Sequence, residues 1–185
     1  ARFAMAENLF GLKQYPAADT AYKVIPEDHK LSGKSVFKAA WCSYLSGDYK
    51  AASKRFGAIA NSKRPKDKMM VEESLSMECL AWLDAGSPVK ALQAADRYRD
   101  ENPEGRYTAR TERVAARVLK QQGKLKLAAS RLSRAAANEK SPERAFADKL
   151  EFAEVLFKQG DFAAATKAYV PLVEREDKIG GRAYE

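Results

Sequence analysis

The 185-residue sequence predicts an all-α solenoid of about five helix-turn-helix repeats, and three observations predict it: a recurring motif, its period, and the turn chemistry between the helices. Each copy of the motif sets a glycine and a turn residue before an aromatic or aliphatic residue. Alanine follows three positions later, and usually a bulky side chain seven later. The clearest copies are Gly47-Asp48-Tyr49 with Ala52 and Phe56, and Gly160-Asp161-Phe162 with Ala165 and Tyr169. Weaker copies are Lys13-Gln14-Tyr15 with Ala18 and Tyr22, Gly86-Ser87-Pro88 with Ala91, and Gly123-Lys124-Leu125 with Ala128 and Leu132. The markers Tyr15, Tyr49, Pro88, Leu125 and Phe162 stand 34, 39, 37 and 37 residues apart, which is the spacing of stacked helical pairs.

Taken in order, the first helices read Phe3–Leu12, Lys34–Ser46, Val71–Ala85, Tyr107–Gln122 and Glu143–Gln159. Each second helix begins near its marker and runs about a dozen residues. Gly47, Gly86, Gly123 and Gly160 suit the left-handed conformation that ends a helix. Ser87-Pro88 and Ser141-Pro142 offer an N-cap followed by proline at the first helical position. The stretches Pro26–Gly33, Asn61–Lys68 and Glu101–Arg106, rich in Pro, Gly, Asn and charge, read as loops between repeats. Pro171 is expected to kink or shorten the last helix, because it removes a backbone donor. Beyond it, Gly180-Gly181-Arg182-Ala183-Tyr184-Glu185 reads as the entry to another first helix cut off mid-turn. The repeats fall near residues 1–31, 32–68, 69–104, 105–140 and 141–179 of a single array. The opening Ala1-Arg2-Phe3-Ala4-Met5-Ala6 already lies in a helical pattern, so the chain reads as an excised fragment. Uncapped ends of such an array leave apolar faces open, and self-association or flanking repeats are expected to cover them.

Composition sets outer bounds. With 45% hydrophobic and 31% charged residues the chain is too apolar for disorder, and no apolar run approaches the length that spans a bilayer. Cys42 and Cys79 lack the paired spacing of a zinc or redox motif and read as small buried residues. The only histidine, His29, sits in a loop beside Glu27 and Asp28 and reads as solvated. With no glycine-rich phosphate loop and no paired carboxylates, the expectation is a noncatalytic protein without a cofactor or bound metal.

These motifs resemble the tetratricopeptide repeat (TPR) family along essentially the whole chain. In that family a small residue lies nine positions before each marker, where two helices touch, and here those residues are Ala6, Ala40, Cys79, Ala116 and Ala153. The tryptophan-leucine-glycine signature of the first helix is mostly missing. The longer copies are similar to those of bacterial cell-envelope members, such as outer-membrane assembly and Tol-Pal-associated proteins, which implies an envelope or periplasmic location. The resemblance implies a right-handed superhelix whose concave groove binds peptides or protein segments, as a scaffold or assembly adaptor.

One helix carries unusual charge. Arg106, Arg110, Arg113, Arg117 and Lys120 are spaced to form a single stripe, and residues 105–140 hold ten Lys and Arg against two Asp and Glu. The whole net charge of +8 is therefore concentrated in repeat four. By the resemblance, side chains twelve, eight and five positions before each marker face the groove. These are Arg113, Arg117 and Lys120 in repeat four, Phe37, Trp41 and Tyr44 in repeat two, and Phe3, Glu7 and Phe10 in repeat one. The candidate binding residues are accordingly Arg110, Arg113, Arg117, Lys120, Phe37, Trp41 and Tyr44, suited to a segment with apolar anchors and carboxylates. The alternatives are a stripe neutralised inside the fold by acids such as Glu78, Asp84, Glu151 and Glu154, and aromatics used for packing between repeats. Trp82 reads as core. Nucleic acid is the second candidate partner, since a basic stripe is the footprint of phosphate binding. Against it, the equivalent positions Phe37, Ser76, Arg113 and Leu150 share no base-reading pattern.

Overall fold

The computed structural model describes the backbone of residues 1–64 and 68–181, and side chains as far as Val173. Ten helices succeed one another, with no strand among the described residues: α1 (Arg2–Gly11), α2 (Tyr15–Lys23), α3 (Ser32–Leu45), α4 (Tyr49–Ala60), α5 (Lys68–Asp84), α6 (Pro88–Glu101), α7 (Thr108–Gln121), α8 (Leu125–Asn138), α9 (Pro142–Gln159) and α10 (Phe162–Gly181). All five markers are the first residue of a second helix. The chain divides into two compact units, Ala1–Tyr107 and Thr108 onward, and within each unit successive helices pack on one another.

The turns inside the repeats share one set of hydrogen bonds. In each, the amide of the residue before the marker donates to the carbonyl five residues back: Gln14 to Leu9, Asp48 to Ser43, Ser87 to Trp82, Lys124 to Leu119 and Asp161 to Leu156, at 2.9–3.1 Å. This is the Schellman closure, which needs a left-handed residue at its apex. Gly47, Gly86, Gly123 and Gly160 supply it with φ of 69–85°, and Lys13 takes the same place in repeat one at φ 60°. Asp48 and Asp161 then cap the second helices, accepting from the amides of Ala51 and Ala164 at 3.0 Å. Ser141 caps α9 by accepting from the Arg144 amide.

Small residues at the crossings give the closest packing. Ala6, Ala40, Cys79, Ala116 and Ala153 are fully buried, as are Ala18, Ala52, Ala91 and Ala128 on the second helices. Tyr22, Phe56 and Leu132 fill the space beside them. Trp82 is buried with the Lys90 ammonium 4.3 Å above its ring. Both cysteines are buried thiols, and burial pushes Cys42 up to about 11. Unit one closes on a polar knot. Tyr98 donates to Glu72 at 2.7 Å and accepts the Tyr107 amide, while the Arg106 amide donates to the same Glu72 oxygen. A Cβ on Gly105 would stand 2.3 Å from the Tyr98 hydroxyl, so the knot requires glycine there.

Three local expectations are corrected. Ser87 occupies the N-cap of α6, but its hydroxyl makes no capping bond. Gly33 lies inside α3 rather than in the loop, because Ser32 opens the helix with its hydroxyl on the Glu27 carbonyl. Pro171 does not shorten α10, which spans 20 residues. Pro171 and Lys167, whose carbonyl loses its donor, are both exposed, so water can satisfy what the ring removes. Gly180 and Gly181 are the last two residues of α10, and residues 182–185, the rest of the expected entry to a further helix, lie outside the described residues, as do residues 65–67 of the 61–68 loop.

Candidate functional site

In unit one the positions twelve, eight and five before each marker form a stripe along the first helices. Phe3, Glu7 and Phe10 come from α1, Phe37, Trp41 and Tyr44 from α3, and Leu80 and Leu83 from α5, all half-buried. The α3 aromatics rest on a core of Ala40, Ala52, Phe56, Ile59, Met77 and Ala81, with Leu80 beside them. Phe37 and Trp41 both meet Phe56 edge to face, with centroids 6.0 and 5.8 Å away, and Tyr44 meets Trp41 at 5.9 Å. The Tyr44 hydroxyl donates to Asp84 Oδ2 at 2.6 Å, tying α3 to α5. Packing between repeats therefore takes one side of these rings, and their remaining surface is open to solvent.

Charge borders the stripe. Lys38 places its ammonium 4.4 Å above the Phe10 ring and 3.5 Å from Glu7, and Lys34 lies 5.3 Å above Phe3. Glu7 also accepts the Tyr22 hydroxyl, whose ionisation burial and then Glu7 push far above its ordinary value. His29 is exposed, and its Nδ1 accepts the Leu31 amide in a local turn.

In unit two the basic stripe is divided. Arg113 forks between α8 and α9, donating to Glu139 Oε2 and to Asp148 Oδ2, each at 2.7 Å. Burial alone would raise Glu139, but the Ser141 amide and the Arg113 guanidinium outweigh it and hold its carboxyl below the usual range. For Asp148, only 3% exposed, burial wins over Arg113, and Glu139 and Glu151 add to the rise. Lys120 pairs with Glu151 of α9. Arg110 is half-buried, and Arg117 is exposed with no hydrogen bond or ion pair among the described residues. Of the other acids considered, Asp84 takes Tyr44, Glu78 lies against Trp82, and Glu154 is exposed.

The sequence reading missed Glu139, Asp148 and a second ionic cluster, in which Glu112, 2% exposed, takes Arg131 at 3.0 Å and Arg134 at 3.4 Å. A signal for it was present. Glu112 falls on the same helical face as Ala109, Ala116 and Leu119, so burial, and with it the need for cationic partners, follows from periodicity. No group of metal-ligating side chains occurs among the described residues.

The sequence matches no protein-family model, and no curated protein matches it. Solved structures do. MamA superposes at TM-score 0.70 over 95% of this chain and 96% of its own, with 15% identity. A Podosopora anserina chain of nearly identical TPR-like repeats superposes at 0.67 over 97% and 94%, with 14% identity. The chain has a TPR-like fold. YrrB, described as a TPR protein with an unusual peptide-binding site, is similar at TM-score 0.63 over 94% of this chain and 84% of its own, with 14% identity. At such identities the TPR-like match establishes architecture and leaves the ligand to the site.

Proposed function

We propose that the chain is a noncatalytic interaction scaffold that binds a peptide or protein segment on the first-helix faces of its TPR-like repeats. The observation that carries this reading is the stripe of half-buried aromatic and aliphatic side chains on α1, α3 and α5, bordered by Lys34, Lys38 and Glu7. Amphipathic rings held rigid on one side and open on the other bind a partner at little entropic cost, and such anchors carry most of the energy at interfaces. A peptide-binding site in the TPR protein YrrB supports the same use of the fold.

Phe37, Trp41 and Tyr44 are the apolar anchors. In the basic stripe Arg117 is the cation available to a carboxylate, with Arg110, Arg113 and Lys120 around it, of which Arg113 and Lys120 are already matched by acids of the fold. That internal matching weighs against nucleic acid as the ligand, because counterion release requires unneutralised cations.

Selection of binding peptides from a random displayed library, followed by calorimetric titration of wild type, Trp41→Ala and Arg117→Glu, tests the reading. Trp41→Ala should weaken a selected peptide about tenfold or more. Arg117→Glu should weaken acidic peptides alone, without loss of thermal stability. If no peptide is selected while random single-stranded RNA binds with affinity falling about 10³–10⁵-fold between 50 and 200 mM salt, the polyanion alternative replaces it.

A further inference from the structure

A cavity of about 290 Å³ opens between α5 and α6 in repeat three, on the face of α5 opposite Leu80 and Leu83 and so apart from the aromatic stripe. It is lined by Glu78, Trp82, Lys90, Gln93, Ala94 and Arg97. Lys90, Gln93 and Arg97 stand three and four positions apart, which sets them along one side of α6. Glu78 and Trp82, four apart on α5, form the facing wall. Behind that wall a Cβ on Gly57 of α4 would stand 2.8 Å from Glu78 Oε1, so glycine there leaves the room that the carboxylate occupies.

The polar groups of this cavity are only partly matched. Glu78 Oε1 accepts the Trp82 indole N–H over a long 3.4 Å, and Oε2 is buried without a donor among the described residues. Burial raises the Glu78 carboxyl, and Trp82 and Arg97 offset this only in part. Arg97 is engaged elsewhere, with Nε on Glu101 at 2.7 Å and Nη2 on the Ala60 carbonyl at 3.4 Å. Lys90 holds its ammonium 4.3 Å above the Trp82 ring, and no carboxylate pairs with it among the described residues. Gln93 is exposed, and its amide makes no hydrogen bond among them. A carboxylate and a cation, each without an ionic partner, are therefore held on one indole, Glu78 at its edge and Lys90 on its face.

These charges select the ligand. A simple cation would satisfy Glu78 but be repelled by Lys90 and Arg97, and a simple anion would pair with Lys90 but face the Glu78 carboxylate. A molecule that carries both signs on one carbon meets both walls, and the Gln93 amide can donate or accept beside them. The volume is at the small end of ligand sites, enough for one such molecule, and Trp82 and Ala94 offer its side chain apolar surface. We propose that this cavity binds a free zwitterionic α-amino acid, with its ammonium on Glu78 and its carboxylate on Lys90. The last torsion of Glu78 is soft, so a rotation about it turns Oε2 to the ammonium. None of these residues belongs to the proposed peptide site, and Trp41→Ala should leave amino-acid binding unchanged.

Calorimetric titration of the full chain with each of the common amino acids tests it. At least one should bind with a Kd of about 1 mM or tighter. Its N-acetyl form, which lacks the ammonium, and its carboxamide form, which lacks the carboxylate, should each bind about tenfold more weakly or worse. Glu78→Gln and Lys90→Met should each weaken the parent amino acid by a similar factor. In a Trp41→Phe chain Trp82 is the one indole left, and its fluorescence should change with the same midpoint as the ligand carboxylate draws Lys90 off the ring. Failure of every amino acid to bind, a derivative that binds as tightly as its parent, or an unchanged affinity in both variants overturns the inference. The comparison of derivatives uses the unaltered chain, so it decides the matter even where a variant misfolds.

Discussion

Lys13 adopts φ 60° where four other repeats use glycine, and it is the one non-glycine residue with positive φ among the described residues. Its Cβ crowds the backbone in this conformation, and the hydrogen bonds of Gln14 and Lys13 to Leu9 and Phe10 hold it there. The side chain is exposed, so replacing it removes no packing. Lys13→Gly should therefore raise stability by about 0.5–1 kcal/mol, the relief of strain exceeding the entropy glycine adds to the unfolded chain. Urea unfolding with an unchanged slope and a higher midpoint is the expected result, and a lower midpoint would contradict the strain assigned here. Residues of this kind were legible beforehand, because a turn that recurs four times with glycine marks its fifth apex even when lysine stands there.

The first helices were legible to within three residues at either end. Every second helix starts on its marker, where a turn residue precedes it and a small residue follows three positions on, although α10 runs to 20 residues instead of a dozen. Of what joins helices through charge, the Lys120–Glu151 pair was foreseen and the rest was not. Arg113 reaches Asp148 35 positions away, and Glu112 reaches Arg131 19 away, whereas a stripe drawn along one helix treats every cation as facing water. The aromatic face was only half legible for a related reason: Phe37, Trp41 and Tyr44 serve the core and the surface at once, and periodicity cannot divide one ring between them. Two half-buried acids at helix junctions predict opposite responses to pH. Burial raises Asp19, but hydrogen bonds from Arg55 of α4 and from Lys23 more than offset it, so its folded pKa lies below the ordinary value. Its stabilising effect is complete above the unfolded pKa, about 3.9, and is lost as pH falls through the folded one. The stability gap between wild type and Asp19→Asn should hence shrink from pH 7 to pH 3. Glu78 is raised, first by burial, against which the Trp82 indole only partly compensates. Its charge is a penalty above the folded pKa and none below the unfolded one, about 4.3. Glu78→Gln should accordingly be more stable than wild type at pH 7, an advantage that disappears by pH 3. Profiles of the same sign for the two variants would refute one of the two assignments.

Across the whole molecule, packing inside each unit runs between successive helices, with α3 against α5 as a further contact in unit one, so no helix depends on a distant part of the sequence. Stability in such arrays is a sum of repeat and neighbour terms, and a block of repeats that satisfies its own polar groups can stand alone. Residues 1–107 are such a block. They hold six helices, and they end on Tyr107, whose amide is taken by Tyr98 within the same unit while Glu72 takes Tyr98 and the Arg106 amide. A chain of residues 1–107 should thus give a helical circular dichroism spectrum and a cooperative thermal transition. Tyr98 is fully buried, so Tyr98→Phe in that chain strips Glu72 of a donor and the Tyr107 amide of its acceptor without opening a cavity. The transition should move by the equivalent of about 1 kcal/mol, the net effect of hydrogen bonds lost from half-buried groups. A disordered spectrum for residues 1–107 would show that unit one draws its stability from outside itself. A Tyr98→Phe variant as stable as its parent would show that shape alone, and not the polar knot, closes it.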